Sequence, residues 1–316
     1  MNTDVVNALG LAACLAAASW GALQDATVVV PPPPPEPTTA PTSTHTDVTD
    51  ARGKPVPIAP YARIVSLNTV SDHILLELVE PGRLVSITGL TRDTHPRAWR
   101  FGERVSVGRS DQLEAIVALQ PDLVVVSQFA DEAFMARLRE SGIRVFDLGP
   151  MEGVRTTRAN ITTLGHLLDI PDRAAALSRR FERELAGLAS RVPEAAHEKG
   201  LYLTVYGDTL YGGTTGSSYA DMLHYGGVHD VAADFGHTGW PQYTPEAVLA
   251  MDPPLIITGS AMRTALCSHS TLRQLKACAP GGRIVELDAA SQADPGLGIV
   301  DSAEAVLAAV HGDRGE

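Results

Sequence analysis

Short apolar runs of four or five residues alternate along most of this chain with stretches whose apolar positions recur every three to four residues. Arg63–Leu67, Arg83–Ile87, Leu123–Ser127 and Arg144–Leu148 read as strands, separated by predicted helices over Ser71–Val79, Asp111–Leu119 and Asp131–Glu140. Runs that stay apolar without alternation suit strands buried on both faces. Alternation of this kind predicts a mostly parallel sheet clothed by helices. The pattern then changes. Gly153–Leu168 and Pro171 to about Arg191 predict two consecutive helices, with Pro171 suited to a first helical turn. Leu201–Tyr206 opens a second series. It continues through helices at Ser218–His224, Pro245–Met251 and Thr271–Cys278, strands at Leu255–Thr258 and Arg283–Leu287, and a terminal helix near Asp301–Val310.

The two series share a sequence. EAIVALQPDLVVVS at residues 114–127 returns 132 positions later as EAVLAMDPPLIITG at residues 246–259. Glu114/Glu246, Ala115/Ala247, Ala118/Ala250, Pro121/Pro253 and Leu123/Leu255 are identical. Each copy predicts a helix opened by an acid, broken at Pro and followed by a buried strand. The fold class expected is therefore α/β: two Rossmann-like lobes with mostly parallel sheets, joined by a long rigid interlobe helix. Residues 58–151 form the first lobe, 152–192 the interlobe helix and the helix after it, and 193–316 the second lobe. A helical crossing is stiffer than paired hinge strands, so closure on a ligand is expected to be small. At 316 residues with 44% hydrophobic content the chain can fill two cores.

The N-terminal segment departs from this pattern. Val5–Leu23 is apolar and uncharged, and Pro31–Pro35 and a Thr/Pro/Ser-rich stretch follow it. Residues 1–27 are expected to be a signal peptide or a membrane or lipid anchor, and residues 28–57 a disordered Pro/Thr-rich linker. Ser19-Trp20-Gly21 offers a small-x-small cleavage site; Leu11-Ala12-Ala13-Cys14 resembles a lipobox that would make Cys14 a lipidated terminus. Cleaved, lipidated and retained forms all stay open, although Asp4 and the lack of Lys or Arg before the apolar stretch are unusual for a signal. The expected location is the periplasm, soluble or tethered, with membrane contact through the N-terminus alone. A net charge of −12 and a pI near 5.3 argue against nucleic acid or an anionic lipid surface as partner. In an oxidising compartment Cys267 and Cys278 are a candidate disulfide around a short polar helix, Ser268–Ala277. Two buried thiols are the other reading, and zinc a weaker one with only His269 between them.

Several segments together resemble the substrate-binding proteins of ABC importers for cobalamin, iron-siderophores and haem, over about residues 55–312. They are Arg63–Asn68, Gly108 through Val126, Gly142–Val145, Gly226-Gly227, Gly239–Glu246 and Gly282–Val285. The resemblance implies a two-lobed binding protein with no cofactor of its own, delivering a metal chelate to an inner-membrane permease and its ATPase. It also implies that one glutamate per lobe docks on permease arginines, and the matching positions are Glu114 and Glu246. On residue chemistry alone, an acid in a first helical turn is favoured by the helix dipole, and Asp111-x-x-Glu114 fits a capping box.

The cleft of such a fold lies beyond the C-terminal ends of the strands. Candidate ligand contacts there are Asn68 and Thr69 after the first strand; His95, Trp99 and Arg100 in the THPRAWRFG segment; Phe129; Tyr206 and Tyr211; Trp240 and Tyr243; and Arg263. Aromatic residues make up 5% of the chain, so their concentration in these loops points to flat ligand surfaces met by stacking. Trp240-Pro241-Gln242 matches the segment that carries a tryptophan in the family's cobalamin binders. The rival binding function is a receptor for a free Zn or Mn ion using His224, His229 and His237 with Asp234. An exported enzyme is more distant, since no G-x-S-x-G, H-E-x-x-H or G-x-x-x-x-G-K-[ST] motif is present. Tyr211–Ser217 looks like a phosphate-cradling loop but lacks the following lysine.

Overall fold

The computed structural model describes residues 46–102, 104–107, 112–207, 209–288 and 296–312. The leader with Cys14, the linker up to residue 45, and Asp111 of the expected capping box lie outside the described residues. Part of the segment expected to be disordered is structured. Strands β1 (Asp47–Thr49) and β2 (Pro55–Pro57) pair antiparallel. Their turn closes because the Asp50 carboxylate accepts from the backbone N–H groups of Arg52 (2.9 Å) and Lys54 (2.8 Å), while Gly53 takes φ 77°. Ala51 N–H donates to the Asp147 carbonyl at 2.9 Å, and the Arg52 guanidinium binds the Asp147 (2.6 Å) and Glu132 (2.9 Å) carboxylates. Residues 47–57 of the expected linker are therefore part of the folded structure.

The first lobe runs β3 (Ile64–Ser66), α1 (Thr69–Leu78), β4 (Leu84–Ser86), α2 (Gly89–Thr94), α3 (Leu113–Ala118), β5 (Leu123–Val126), α4 (Glu132–Glu140) and β6 (Arg144–Asp147). All its neighbouring strands pair parallel, in the order β4-β3-β5-β6. Two helices follow, α5 (Val154–Leu167) and α6 (Pro171–Arg191). The second lobe contains β7 (Glu198–Tyr202), β8 (Thr204–Tyr206), β9 (Thr209–Tyr211), α7 (Ser218–Tyr225), β10 (Val228–Asp230), α8 (Val231–Asp234), β11 (Gln242–Tyr243), α9 (Pro245–Met251), β12 (Leu255–Gly259), α10 (Met262–Ser268), β13 (Arg283–Leu287) and α11 (Ile299–His311). Its main sheet is again parallel, ordered β10-β7-β12-β13. A small antiparallel sheet, β11-β9-β8, stands beside it.

Within each lobe the spatial order is second, first, third, fourth, so the repeat seen in sequence is a repeat of topology. It holds residue by residue: α3 and α9 both end in a left-handed residue, Gln120 (φ 47°) and Asp252 (φ 36°), which occupy equivalent positions just before the shared Pro.

The crossing between lobes falls to α6, not to the helix over 153–168. Helix α5 belongs to the first lobe, where Ile161, Leu164 and Leu167 are fully buried. Along α6, Ala174, Leu177, Phe181 and Leu185 pack into that same core, whereas Leu188 and the adjoining Val192 pack with Ala303 and Leu307 of α11. At about 1.5 Å per residue its 21 residues span about 30 Å. A second link joins the lobes at the start of α5. The Asp221 carboxylate, carried by α7, accepts from Val154 N–H at 2.7 Å. Gly153 makes room for it with φ 87° and ψ −145°, a conformation open essentially to glycine alone.

Cys267 and Cys278 are joined, with Cα atoms 5.5 Å apart. The helix expected over Thr271–Cys278 is replaced by two 3-10 turns, Leu272–Gln274 and Lys276–Cys278. Local side chains compete for the backbone there: His269 Nδ1 accepts from Thr271 N–H (3.2 Å) and the Asp252 carboxylate from Lys276 N–H (3.1 Å). Reducing the disulfide is expected to cost about 3 kcal/mol for a loop of this length. Denaturant unfolding with and without reductant checks this, and coincident midpoints would refute it.

Candidate ligand cleft

Both parallel sheets reverse their strand order between their first and third strands, and open α/β sheets bind ligands beyond the carboxyl ends of the strands at such points. In the first lobe this places the loops after β3 and β5, and with them Asn68, Thr69 and Phe129, at one wall. In the second it places the β8–β9 hairpin, with Tyr206 and Tyr211, and the residues between β12 and α10 at the other.

The second wall is aromatic and tiered. Tyr202 and Tyr219 stack with centroids 3.8 Å apart, and the Trp240 ring stands edge-on to Tyr219 at 4.7 Å and 80°. Tyr206 and Tyr211 meet edge-to-face at 6.0 Å. Burial raises the Tyr202 and Tyr219 hydroxyls above the ordinary phenol range, so both stay protonated. Outside this support, Tyr206 and Trp240 remain 71% and 51% exposed. Sequence reasoning missed Tyr202 and Tyr219, which sit in a strand and a helix rather than in loops. The signal for Tyr219 was the Gly212-Gly213 pair: a Cβ on Gly213 would lie 2.8 Å from Cβ of Tyr219. The loop that looked like a phosphate cradle is shaped by this close packing.

Tyr243 is corrected from ligand contact to core residue. Pairing of β11 with β9 turns it inward, 4% exposed, against the His237 ring at 5.0 Å. Arg263 lies at the switch point, but its guanidinium donates to the Ile284 carbonyl at 2.8 Å.

At the first wall, Asn68 caps α1: its Oδ1 accepts from Ser71 N–H at 2.9 Å. Its Nδ2 is buried and has no hydrogen-bond partner among the described residues. Asp72, one turn on, accepts from Thr88 N–H (3.0 Å), Thr88 Oγ1 (2.5 Å) and Thr91 Oγ1 (2.7 Å), which ties α1 to the start of α2. Burial pushes its carboxyl up, and these bonds oppose the rise. Phe129 is 76% exposed.

The structure does not bring His95 and Arg100 to this wall. Arg100 donates to the Leu76 carbonyl at 2.8 Å, Arg97 pairs with Glu77, and His95 packs on His73 at 4.1 Å. Leu76 and Glu77 lie in the last turn of α1, about 12 Å along the helix from Asn68. The terminal carbonyls of α1 need donors, and this segment folds down to supply one. Trp99, on the same turn, is 78% exposed.

The three histidines of the metal reading are dispersed. His224 faces His197, His229 binds Asp234 at 2.9 Å, and His237 packs on Tyr243. Among the described residues no group of three or more His, Cys, Asp or Glu side chains is placed to hold a metal ion. Glu114 and Glu246 are both exposed, in the first turns of α3 and α9.

Residues 64–290 match the family model described as periplasmic binding protein, and the chain belongs to that family. The cobalamin-binding protein of Halobacterium salinarum is 25% identical over 258 residues, which are 79% of this chain and 69% of the relative. The vitamin B12-binding protein of Salmonella typhimurium is 31% identical over 168 residues, 52% of this chain and 61% of that one. A periplasmic haem-binding protein from Pseudomonas aeruginosa superposes with a TM-score of 0.67 at 24% identity, covering 80% of this chain and 94% of the other. That likeness establishes the fold. No described helix is long and apolar enough to cross a membrane.

Proposed function

We propose that this chain is the substrate-binding component of an ABC importer, capturing a cobalt or iron chelate between its lobes and handing it to a permease with its ATPase. The observation that carries the reading is the tiered aromatic wall, in which buried Tyr202 and partly buried Tyr219 support Trp240 while about half of that residue stays exposed. Cobalamin is the first choice of ligand. The guanidinium groups of Arg97, Arg100 and Arg263 are committed to protein partners, which disfavours a polyanionic ferric catecholate. The relatives in Halobacterium and Salmonella point the same way. Glu114 and Glu246 are the proposed contacts to permease arginines, since paired charges at two separated points fix orientation as well as adding affinity. The N-terminal segment, with Cys14, would export the chain to the periplasm and tether it there.

Titration of the purified chain with cyanocobalamin, haemin and a ferric tris-catecholate, read by tryptophan quenching and visible bands, tests the ligand. Trp240→Ala is expected to weaken binding by about 1–3 kcal/mol, roughly 5- to 150-fold. Unchanged affinity for every chelate would remove Trp240 from the cleft. Tight binding of free Zn or Mn with no chelate bound would replace the whole reading.

A further inference from the structure

Beside Glu246 the second lobe carries a groove of about 470 Å³. Leu210, Leu266 and Leu272, all buried, form its floor. Its walls include Val205 of β8, Pro245 at the start of α9 and Ala265 on the exposed side of α10. None of these residues belongs to the aromatic wall. The α10 wall is braced covalently, because Cys267 within it is joined to Cys278. Pro245 lines the groove and the next residue is Glu246, exposed and without an ion pair to any described residue. An exposed acid thus follows directly in sequence on a residue that lines this mainly apolar groove.

We infer that this groove seats an apolar side chain of the permease, next to the arginine that meets Glu246. The inference rests on the docking reading above and specifies its partner: a segment that presents a cation and an apolar side chain side by side. The chemistry follows the usual division of an interface, with charge at the rim steering encounter and a small apolar centre slowing dissociation. It also assigns the disulfide a role, that of keeping one wall of the seat in place.

The test uses the full chain and inner-membrane vesicles from its source cells. A photoreactive benzophenone residue is placed at Ser268, on the groove's rim, and in a separate variant at Ala250, one helical turn beyond Glu246. Adducts are identified by mass spectrometry. An ABC permease subunit captured at both positions is the expected result. Capture at Ala250 alone would overturn the groove and leave docking intact; a second copy of this chain, or any other partner, captured at Ser268 would likewise overturn it. Permease captured at neither position would overturn docking and groove together. Independently, Ala265→Trp fills the trough and is expected to weaken binding to the vesicles about tenfold, or about 1.4 kcal/mol. Ala265→Ser should leave it unchanged, and chelate affinity should be normal in both. Undiminished binding by Ala265→Trp would refute the proposal.

Discussion

Replacing Gly153 by alanine is expected to destabilise the protein by about 3 kcal/mol or more. Two costs combine. A side chain at φ 87°, ψ −145° lies in a region that costs on the order of 1–3 kcal/mol. The new Cβ would also overlap the Asp221 carboxylate and sit 3.0 Å from Cα of Ser218. Moving Asp221 aside strands the Val154 N–H, and an orphaned buried donor costs about 1–3 kcal/mol. Burial already holds the Asp221 carboxyl above its ordinary range, with the Val154 bond working against that rise, so the bond is what makes the position tolerable. At roughly 2–4 °C per kcal/mol for a domain of this size, the melting temperature should fall on the order of 10 °C. Asp221→Asn keeps an acceptor and should cost less. A Gly153→Ala protein that melts with the wild type would refute the interlobe bond.

Reversing both rim charges, Glu114→Arg with Glu246→Arg, should abolish uptake while leaving chelate affinity within about twofold. Each substitution sets like charge against like, which costs several kcal/mol per contact at an interface. Neither residue is buried, and Glu246 does not cap its helix: Thr244 Oγ1 caps α9, accepting from Ala247 N–H at 3.2 Å. Stability should therefore change little. Uptake of radiolabelled cyanocobalamin by cells carrying the double variant, alongside affinity of the purified protein, makes the measurement. Normal uptake would return both residues to the helix dipole, and lost affinity would place them in the support of the cleft.

The lobes, the repeat and the strands β3, β4, β5 and β12 were legible in the sequence because these strands are short runs buried on both faces, and such runs need little context to be read; the half-exposed β9, β10 and β11 were not read as strands. The internal repeat was legible as helix, Pro and strand, but not the left-handed conformation that Gln120 and Asp252 share just before the Pro. What was not legible depended on contacts distant in sequence. Asp50 closes the turn of the first hairpin and Arg52 ties it to Asp147 and Glu132, so residues that look like linker are part of the fold. The same holds for the stretch 271–278, where Asp252 and His269 claim backbone donors that a helix would have used. Position in predicted loops led to Tyr206, Tyr211 and Trp240, of which Tyr206 and Trp240 are exposed; it led equally to Tyr243, whose side is set by pairing of β11 with β9. His95 and Arg100 followed a strand end in sequence and were drawn away by the unsatisfied end of α1. Tyr202 and Tyr219 escaped notice because they lie in a strand and a helix rather than in loops.

Helix α6 runs unbroken from one core to the packing of the other lobe's final helix, so the spacing of Glu114 and Glu246 hardly depends on whether anything lies between the lobes. An importer served by such a receptor has little geometric means of refusing an empty copy. On the function proposed above, unloaded receptors would compete at the permease, and flux would depend on the ratio of loaded to unloaded copies. When ligand is scarce, a cell that overproduces this protein would take up less, and growth on limiting ligand would pass through an optimum in receptor number.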